Sequence, residues 1–124
     1  MHAEIDLEFA RAFAEEWVAA WNAHDLERVL SHYADDFEFS SPVIVALGFG
    51  ASGQLRGKEA IRPYWSAGLA RRPPIQFELV EVFAGIGAVS VVYRSVGRKL
   101  ACETFLFDAE RKVVRSAATY GRPA

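Results

Sequence analysis

The chain contains 124 residues, of which 52% are hydrophobic and 24% are charged, and its formal net charge at pH 7 is -2. This length and apolar content predict one domain, residues 1–124, whose core needs neither a disulfide nor a structural metal. The small negative net charge argues against a nucleic-acid-binding protein. The single cysteine, Cys102, excludes an intrachain disulfide and fits a reducing compartment. No apolar run approaches the length of a membrane span, and the acidic N-terminal residues are unlike a signal peptide. We therefore expect a cytoplasmic protein without nucleic-acid or membrane partners.

The first predicted element is an amphipathic helix over about residues 5–22. Its buried stripe is aromatic and recurs every four residues: Phe9, Phe13, Trp17 and Trp21. Asp25 follows a break in this pattern and has the position of an N-cap, so a second helix is expected to begin there and to bury Tyr33. The spacing then changes to alternation, which predicts a strand over residues 37–41 that ends at Pro42.

The segment after this strand is glycine-rich. Residues 43–57 contain four glycines and keep no sustained period, so they are predicted to form an irregular segment that could cover a cavity mouth. A third helix is predicted over residues 58–70, with Pro63 requiring either a kink or a separate first turn. The Arg71-Arg72 pair that follows is interpreted as a solvated helix end.

The last fifty residues carry four runs rich in β-branched and aromatic residues. They span residues 75–84, 88–96, 99–107 and 112–120. Their connections have the length of hairpins, which requires antiparallel neighbours. Helices that precede such a meander predict an α+β fold, with three N-terminal helices packed on one face of a curved antiparallel sheet.

The third of these runs is apolar on both faces. Alternation places Ala101, Glu103, Phe105 and Phe107 on one face of the strand. It places Leu100, Cys102, Thr104 and Leu106 on the other face. If the helices cover only one face of the sheet, the other face would be an unusually large apolar patch. We therefore predict a homodimer through the convex sheet face.

Several short segments, taken in order, resemble one known family. They are Tyr33-Ala34-Asp35-Asp36, Ser40-Ser41-Pro42, Arg56-Gly57-Lys58-Glu59-Ala60-Ile61-Arg62, Phe105-Leu106-Phe107-Asp108, and the stretch from Lys112-Val113-Val114 to Tyr120-Gly121. Together they resemble the NTF2-like superfamily, and within it the SnoaL-like, ketosteroid-isomerase-like bacterial branch. The resemblance implies a cone-shaped, cystatin-like fold in which the helices close over a strongly curved sheet around a deep apolar pocket. It also implies a homodimer.

The best-known chemistry of this superfamily needs three groups. Ketosteroid isomerases use a carboxylate base beside a carbonyl, and a phenol and a protonated carboxylic acid that stabilise the oxyanion. The resemblance places the phenol position at Trp17, the base position at Ser41 and the neutral acid position at Glu103. An indole N–H is a weaker acid than a phenol, and a serine hydroxyl near neutral pH does not accept a proton without a helper. The isomerase mechanism therefore does not transfer unchanged.

Glu103 is the first catalytic candidate, because burial on an apolar strand face should raise its pKa and make it a hydrogen-bond donor or a poised base. The alternatives are that this face is solvated, or that Glu103 pairs with an arginine such as Arg115. Ser41 is the second catalytic candidate. The ligand-binding candidates are the aromatic residues expected to bound the pocket: Trp17, Phe39, Trp65, Phe105 and Tyr120.

These features favour a protein that binds an apolar or aromatic small molecule and acts as a cofactor-independent, isomerase-like acid/base enzyme through Glu103. The alternatives are a noncatalytic ligand-binding or dimerisation module, and a polyketide-cyclase-like or dehydratase-like enzyme in which Glu103 and Ser41 activate water. No His, Asp and Glu spacing predicts a metal site. The sequence Gly48-Phe49-Gly50-Ala51-Ser52-Gly53 matches G-x-G-x-x-G but lacks the strand and helix context that dinucleotide binding requires. We expect no metal and no organic cofactor.

Overall fold

The computed structural model describes residues 4–123, with side chains described for residues 4–121. In chain order the elements are α1 (Leu7–Asn22), α2 (Leu26–Leu30), β1 (Tyr33–Ser40), α3 (Pro42–Ala46), β2 (Gln54–Arg56), α4 (Lys58–Leu69), β3 (Glu78–Gly85), β4 (Ala88–Arg94), β5 (Lys99–Phe107) and β6 (Val113–Pro123). A short 3-10 turn, Val96–Arg98, joins β4 to β5. This is the expected α+β arrangement of helices on a curved, open sheet.

The two N-terminal helices begin at aspartate caps. The carboxylate of Asp6 accepts a hydrogen bond from the Phe9 amide at 2.8 Å, and Asp25 accepts one from the Arg28 amide at 3.1 Å. Each bond satisfies one of the free amides at a helix start. The aromatic stripe of α1 is buried as predicted, with Phe13, Trp17 and Trp21 facing the sheet side of the helix.

The sheet has six strands in the order β2-β1-β6-β5-β4-β3. Strands β3 to β6 form the predicted antiparallel meander, but β1 pairs with β6 in parallel, so the sheet is mixed rather than wholly antiparallel. Parallel pairing is possible here because the long excursion from α3 through β5 separates the two strands in the chain.

The second helix is shorter than predicted, because Tyr33 begins β1 instead of closing α2. The Val113 amide donates to the carbonyl of His32 at 2.9 Å, and Tyr33 pairs with Val113 in the sheet. Tyr33 follows Leu30 at helical spacing and also fits the strand alternation that includes Phe37. Its burial is therefore compatible with a helix and with a strand.

The glycine-rich segment contains two short elements. Pro42 opens α3 at a position where its missing amide costs no helical bond, and β2 pairs with β1 through Leu55 and Phe39. Gly53, with φ +76°, supplies a backbone turn between the two elements. The later helix, α4, runs as one element through Pro63, so a separate first turn is not needed.

The inward face of β5 is buried as predicted, and the outward face is half-buried or exposed. The ring of Phe105 packs edge-on against Phe13 at 4.9 Å and against Trp17 at 5.3 Å. The core therefore lies between α1 and the concave face of the sheet. Among the residues described, no helix is long and apolar enough to cross a membrane.

Candidate functional site

A cavity of about 310 Å³ lies between α1, α4 and the concave face of the sheet. Its wall is largely aromatic. The aromatic residues that line it are Trp17, Trp21, Phe39, Tyr64, Trp65, Phe77, Tyr93 and Tyr120. A concave aromatic surface of this kind suits a small apolar or aromatic ligand.

Glu103 is the single carboxylate among the described residues that line this cavity. It is only 4% exposed. The Ser116 hydroxyl donates to its Oε2 at 2.7 Å, and the Tyr93 hydroxyl donates to its Oε1 at 3.4 Å. Burial raises the pKa of Glu103 to about 7, although these two hydrogen bonds act in the opposite direction.

The sheet register explains this environment. Glu103 lies opposite Val91 on β4 and Ala118 on β6. Its hydrogen-bond partners come from the diagonal positions on those strands, which are within reach of polar side chains on one face of a sheet. Glu103 therefore has hydroxyl donors, and it forms no ion pair with the residues that the structure describes.

The alternative that Glu103 pairs with an arginine such as Arg115 is wrong. Arg115 is exposed, and its Nε lies 4.0 Å from a carboxylate oxygen of Glu38. An irregularity in the pairing of β5 with β6 changes the register between Leu106 and Phe107, so that Arg115 turns outward and Ser116 turns inward. Ser116 was not among the predicted residues. Alternation along the sequence assumes regular strand pairing, so it does not reveal the bulge that turns Ser116 inward.

Four tyrosines lie near Glu103, of which Tyr120 is half-buried and the other three are buried. Burial raises the pKa of all four phenols, and the negative charge of Glu103 raises each of them further: Tyr33, Tyr64, Tyr93 and Tyr120. The pKa of Tyr64 rises to about 12. These phenols therefore stay protonated at neutral pH, which leaves them as hydrogen-bond donors.

The two tryptophans of α1 that line the cavity differ in their hydrogen bonding. The Trp17 indole N–H donates to the Tyr33 hydroxyl at 3.1 Å. The Trp21 indole nitrogen is buried and has no partner among the described residues. Trp17, which occupies the family's phenol position by resemblance, thus contributes its ring to the wall while its donor serves Tyr33.

Ser41 has a local structural role. Its hydroxyl accepts a hydrogen bond from the Val43 amide at 3.1 Å and caps α3. The side chain is buried behind the wall and does not line the cavity, although it opposes the rise in the pKa of Tyr64 and Tyr120. Ser41 is therefore the N-cap of α3 and does not line the cavity that holds Glu103.

The remaining predicted residues separate into two groups. The cavity brings together five of them: Trp17, Phe39, Trp65, Glu103 and Tyr120. Phe105 does not reach it. Its fully buried ring packs behind Trp17, because α1 covers the middle of β5 where an open wall was expected. Phe105 is thus a core residue.

Three cations also line the cavity and were not predicted to do so. Arg71 and Arg72 follow α4, Lys99 begins β5, and all three are exposed. They therefore lie at the cavity mouth, and the interpretation of Arg71-Arg72 as a solvated helix end missed this position. Pro73 and Ile75 lie beside them on the same wall, and the carbonyl of Ile75 contacts the His24 ring at 2.9 Å.

No three His, Cys, Asp or Glu side chains converge as a metal site would require within the part of the chain that the structure describes. The chemistry that the arrangement itself offers is proton transfer by one poised carboxyl group and hydrogen bonding by neutral phenols.

Comparison with known proteins places this architecture in a family. The model of the SnoaL-like domain matches residues 14–121. The crystal structure of a SnoaL-like protein of unknown function from Burkholderia thailandensis is 46% identical, with a TM-score of 0.91 over 95% of this chain and 98% of that one. No protein with a curated description matches the chain.

Two more distant structures share the fold. A candidate isomerase of the SnoaL-like family from Agrobacterium tumefaciens has a TM-score of 0.74 at 15% identity, over 93% of this chain and 99% of that one. The epoxide hydrolase/cyclase-like enzyme SalBIII, which has a role in pyran ring formation in the polyether salinomycin, has a TM-score of 0.74 at 16% identity, over 94% and 93%. The NTF2-like fold expected from the sequence is thereby confirmed, and the chain belongs to the SnoaL-like family.

Proposed function

We propose that this protein binds an apolar or aromatic small molecule in the cavity and that Glu103 transfers a proton on that molecule without a cofactor. The observation that carries the proposal is the buried carboxyl group of Glu103, whose pKa is raised by burial to about 7 inside an aromatic cavity. A carboxyl group with a pKa near the working pH is half ionised there, so it can both accept and return a proton.

The reaction class that best uses one such carboxyl group is proton abstraction beside a carbonyl, followed by return of the proton at another carbon. The carboxylate form of Glu103 would take the proton, and the enolate oxygen that forms would need hydrogen-bond donors. Tyr64 and Tyr120 line the same cavity with phenols that stay protonated at neutral pH. These phenols supply the donors in our proposal.

Ser116 and Tyr93 would position Glu103. Both donate to its oxygens, so they hold the carboxyl group in one orientation and limit the rise of its pKa. A carboxyl group in the same cavity without these donors would stay protonated to higher pH and would be a poorer base at neutrality.

A noncatalytic ligand-binding module is the second candidate. Ser41 at the family's base position supports it, since the hydroxyl caps α3 and lies outside the cavity lining. The cyclase-like or dehydratase-like alternative needed Glu103 and Ser41 to activate one water molecule. The separation of Ser41 from the cavity lining weakens that alternative.

Hydrogen–deuterium exchange tests the proposal without knowledge of the natural substrate. A panel of aromatic enones and polyketide-like ketones is incubated with the protein in D2O, and exchange at the carbons beside the carbonyl is followed by NMR. We expect the wild type to accelerate exchange for some members, with a rate that rises with pH through about 7 as Glu103 ionises. Glu103→Gln should lower that rate by about a hundredfold or more.

Two variants control this experiment. Glu110→Gln removes an exposed acid outside the cavity and should keep the wild-type rate. Gly68 lines the cavity from α4, and a Cβ built there meets nothing within 4 Å, so Gly68→Phe should fill the cavity and abolish exchange. Equal exchange by wild type and Glu103→Gln would exclude Glu103 as the catalyst, and retained binding without exchange in either would favour the noncatalytic module.

We further propose that a second copy of the chain covers the convex face of the sheet. Large apolar side chains are exposed there, including Phe83 at 58% and Leu106 at 38%. Val92 and Cys102 pair with each other on the outward faces of β4 and β5 and are half-buried. A symmetric pair of such faces would remove this surface from water.

A further inference from the structure

The mouth of the cavity is positively charged in a chain whose formal net charge is -2. The three cations that line it come from two segments that meet there, Arg71 and Arg72 after α4 and Lys99 at the start of β5. Among the described residues of the lining the carboxyl group of Glu103 is the one acid, and it is buried while the cations are exposed. The cavity thus has an acidic, aromatic interior and a basic opening.

Within the part of the chain that the structure describes, these mouth cations have no acidic partners. Among the described residues, no carboxylate oxygen lies within 4.0 Å of the side-chain nitrogens of Arg71, Arg72 or Lys99, whereas Arg28, Arg56 and Arg62 all form such pairs elsewhere. Arg72 donates to backbone carbonyls, including that of Arg71 at 3.1 Å. The Lys99 ammonium lies 5.6 Å from the centre of the Tyr120 ring. Like charges gathered around one opening raise the local concentration of anions.

From this arrangement we infer that the ligand is an amphipathic organic anion, an aromatic or alicyclic molecule that carries one carboxylate. The inference rests on the proposed function and specifies its substrate class. The apolar body would occupy the aromatic interior with its reactive carbon beside Glu103, and the carboxylate would remain at the mouth, where guanidinium groups bind carboxylates with paired hydrogen bonds.

The placement also separates two negative charges. A ligand carboxylate inside the cavity would lie beside Glu103 and hinder ionisation of that group, because a like charge disfavours the charged form. A carboxylate at the mouth is paired with Arg71, Arg72 and Lys99 instead. The charged end of the ligand therefore fixes which end enters the cavity, so that Glu103 meets the uncharged end.

A matched pair of probes tests the inference. 2-Naphthoate and 2-naphthamide share one ring system and differ in the charge of one group, and their binding is measured by isothermal titration calorimetry. We expect the wild type to bind the naphthoate about tenfold more tightly. This preference should shrink as NaCl rises from about 50 mM to about 500 mM, because salt screens exposed charges.

Variants localise the effect. Arg71→Gln and Lys99→Gln should each reduce the preference for the naphthoate several-fold, and a triple variant that also carries Arg72→Gln should bind both probes alike. Arg98 is the neighbour of Lys99 in the chain but does not line the cavity. Arg98→Gln therefore removes one positive charge near the mouth and should keep the wild-type preference. Gly68→Phe should abolish binding of both probes.

The outcomes separate this inference from the proposed function. Equal binding of both probes by the wild type would overturn the inference while leaving the apolar cavity and the role of Glu103 intact. A preference that Arg98→Gln reduces as much as Lys99→Gln would overturn it too, since the effect would then come from net charge. Binding of neither probe would overturn both the inference and the proposed cavity.

Discussion

The hydroxyl of Ser116 donates to Oε2 of Glu103 at 2.7 Å across two neighbouring strands. The bond joins a residue of β6 to one of β5 that is not directly opposite it, since Ser116 pairs with Phe105 in the register. It is the shorter of the two hydrogen bonds to this carboxylate, and it favours the ionised form. Ser116 therefore limits the rise in the pKa of Glu103 that burial causes.

Removing this hydroxyl should raise the pKa of Glu103 further. We expect Ser116→Ala to move the titration of the Glu103 side-chain carbon, followed by NMR, to a pH above that of the wild type. Tyr93→Phe should move it in the same direction by less, because the Tyr93 bond is longer at 3.4 Å. The rate of exchange in D2O should shift along the pH axis with the titration.

Ser90→Ala is the matched control, because the Ser90 hydroxyl bonds that of Thr104 at 2.8 Å on the outward face of the sheet. It should leave the titration of Glu103 unchanged. A titration of Glu103 in Ser116→Ala that coincides with that of the wild type would show that the hydrogen bond does not control its ionisation.

The stability of the protein should fall as the pH rises between about 4.5 and about 7. The pKa of Glu103 is raised by burial from its ordinary value of 4.5 to about 7, so in this interval the folded protein keeps a proton that the unfolded chain has released. Ionisation of the folded form then costs free energy, and a shift of this size corresponds to about 3 kcal/mol. Above about pH 7 the loss is complete.

Urea unfolding of wild type and Glu103→Gln across this pH range measures the effect. The difference in the free energy of unfolding between them should move in favour of Glu103→Gln as the pH rises. Below about pH 4.5 both proteins should lose stability together, because Arg28 holds the pKa of Glu16 down at about 2 and that contribution disappears as Glu16 is protonated. A constant difference from pH 5 to 8 would mean that Glu103 titrates as an exposed acid.

The sequence was sufficient to predict the parts of the site that depend on one element at a time. The four-residue aromatic spacing of α1 and the alternation along β5 place Trp17 on the sheet side of the helix and Glu103 on the inward face. In each case burial follows directly from the period of a regular element. The same reasoning placed Trp65 on the buried side of α4.

The parts that depend on relations between elements were not predictable in this way. The inward turn of Ser116 follows from the bulge in the pairing of β5 with β6. The position of Arg71 and Lys99 at one mouth follows from where α4 ends relative to β5. Local patterns carry no information on either, since both depend on the register and packing of distant segments. Phe105 was misassigned for the same reason, because alternation shows which face it is on but not which helix covers it.

The two tryptophans that line the cavity from α1 should respond differently to the same substitution. Trp17→Phe and Trp21→Phe remove similar volumes from buried positions, but Trp17→Phe also leaves the Tyr33 hydroxyl without its donor. Trp21→Phe removes a buried donor that has no partner among the described residues. We expect Trp17→Phe to lower the free energy of unfolding by about 1 kcal/mol more than Trp21→Phe, as measured by urea denaturation. The opposite order would show that ring packing outweighs the hydrogen bond.

The convex face of the sheet should determine whether two copies associate. Val92 lies on this face, half-buried and opposite Cys102. We expect the wild type to sediment as a dimer at micromolar concentration and Val92→Arg to weaken the dimer by about a hundredfold or more, because an unpaired buried charge costs several kcal/mol. Leu7→Arg, at a 63% exposed position that opens α1, should leave the dimer intact. Circular dichroism checks that both variants fold. A wild type that sediments as a monomer, or a Leu7→Arg variant that dissociates as readily as Val92→Arg, would rule out the convex face as the site of association.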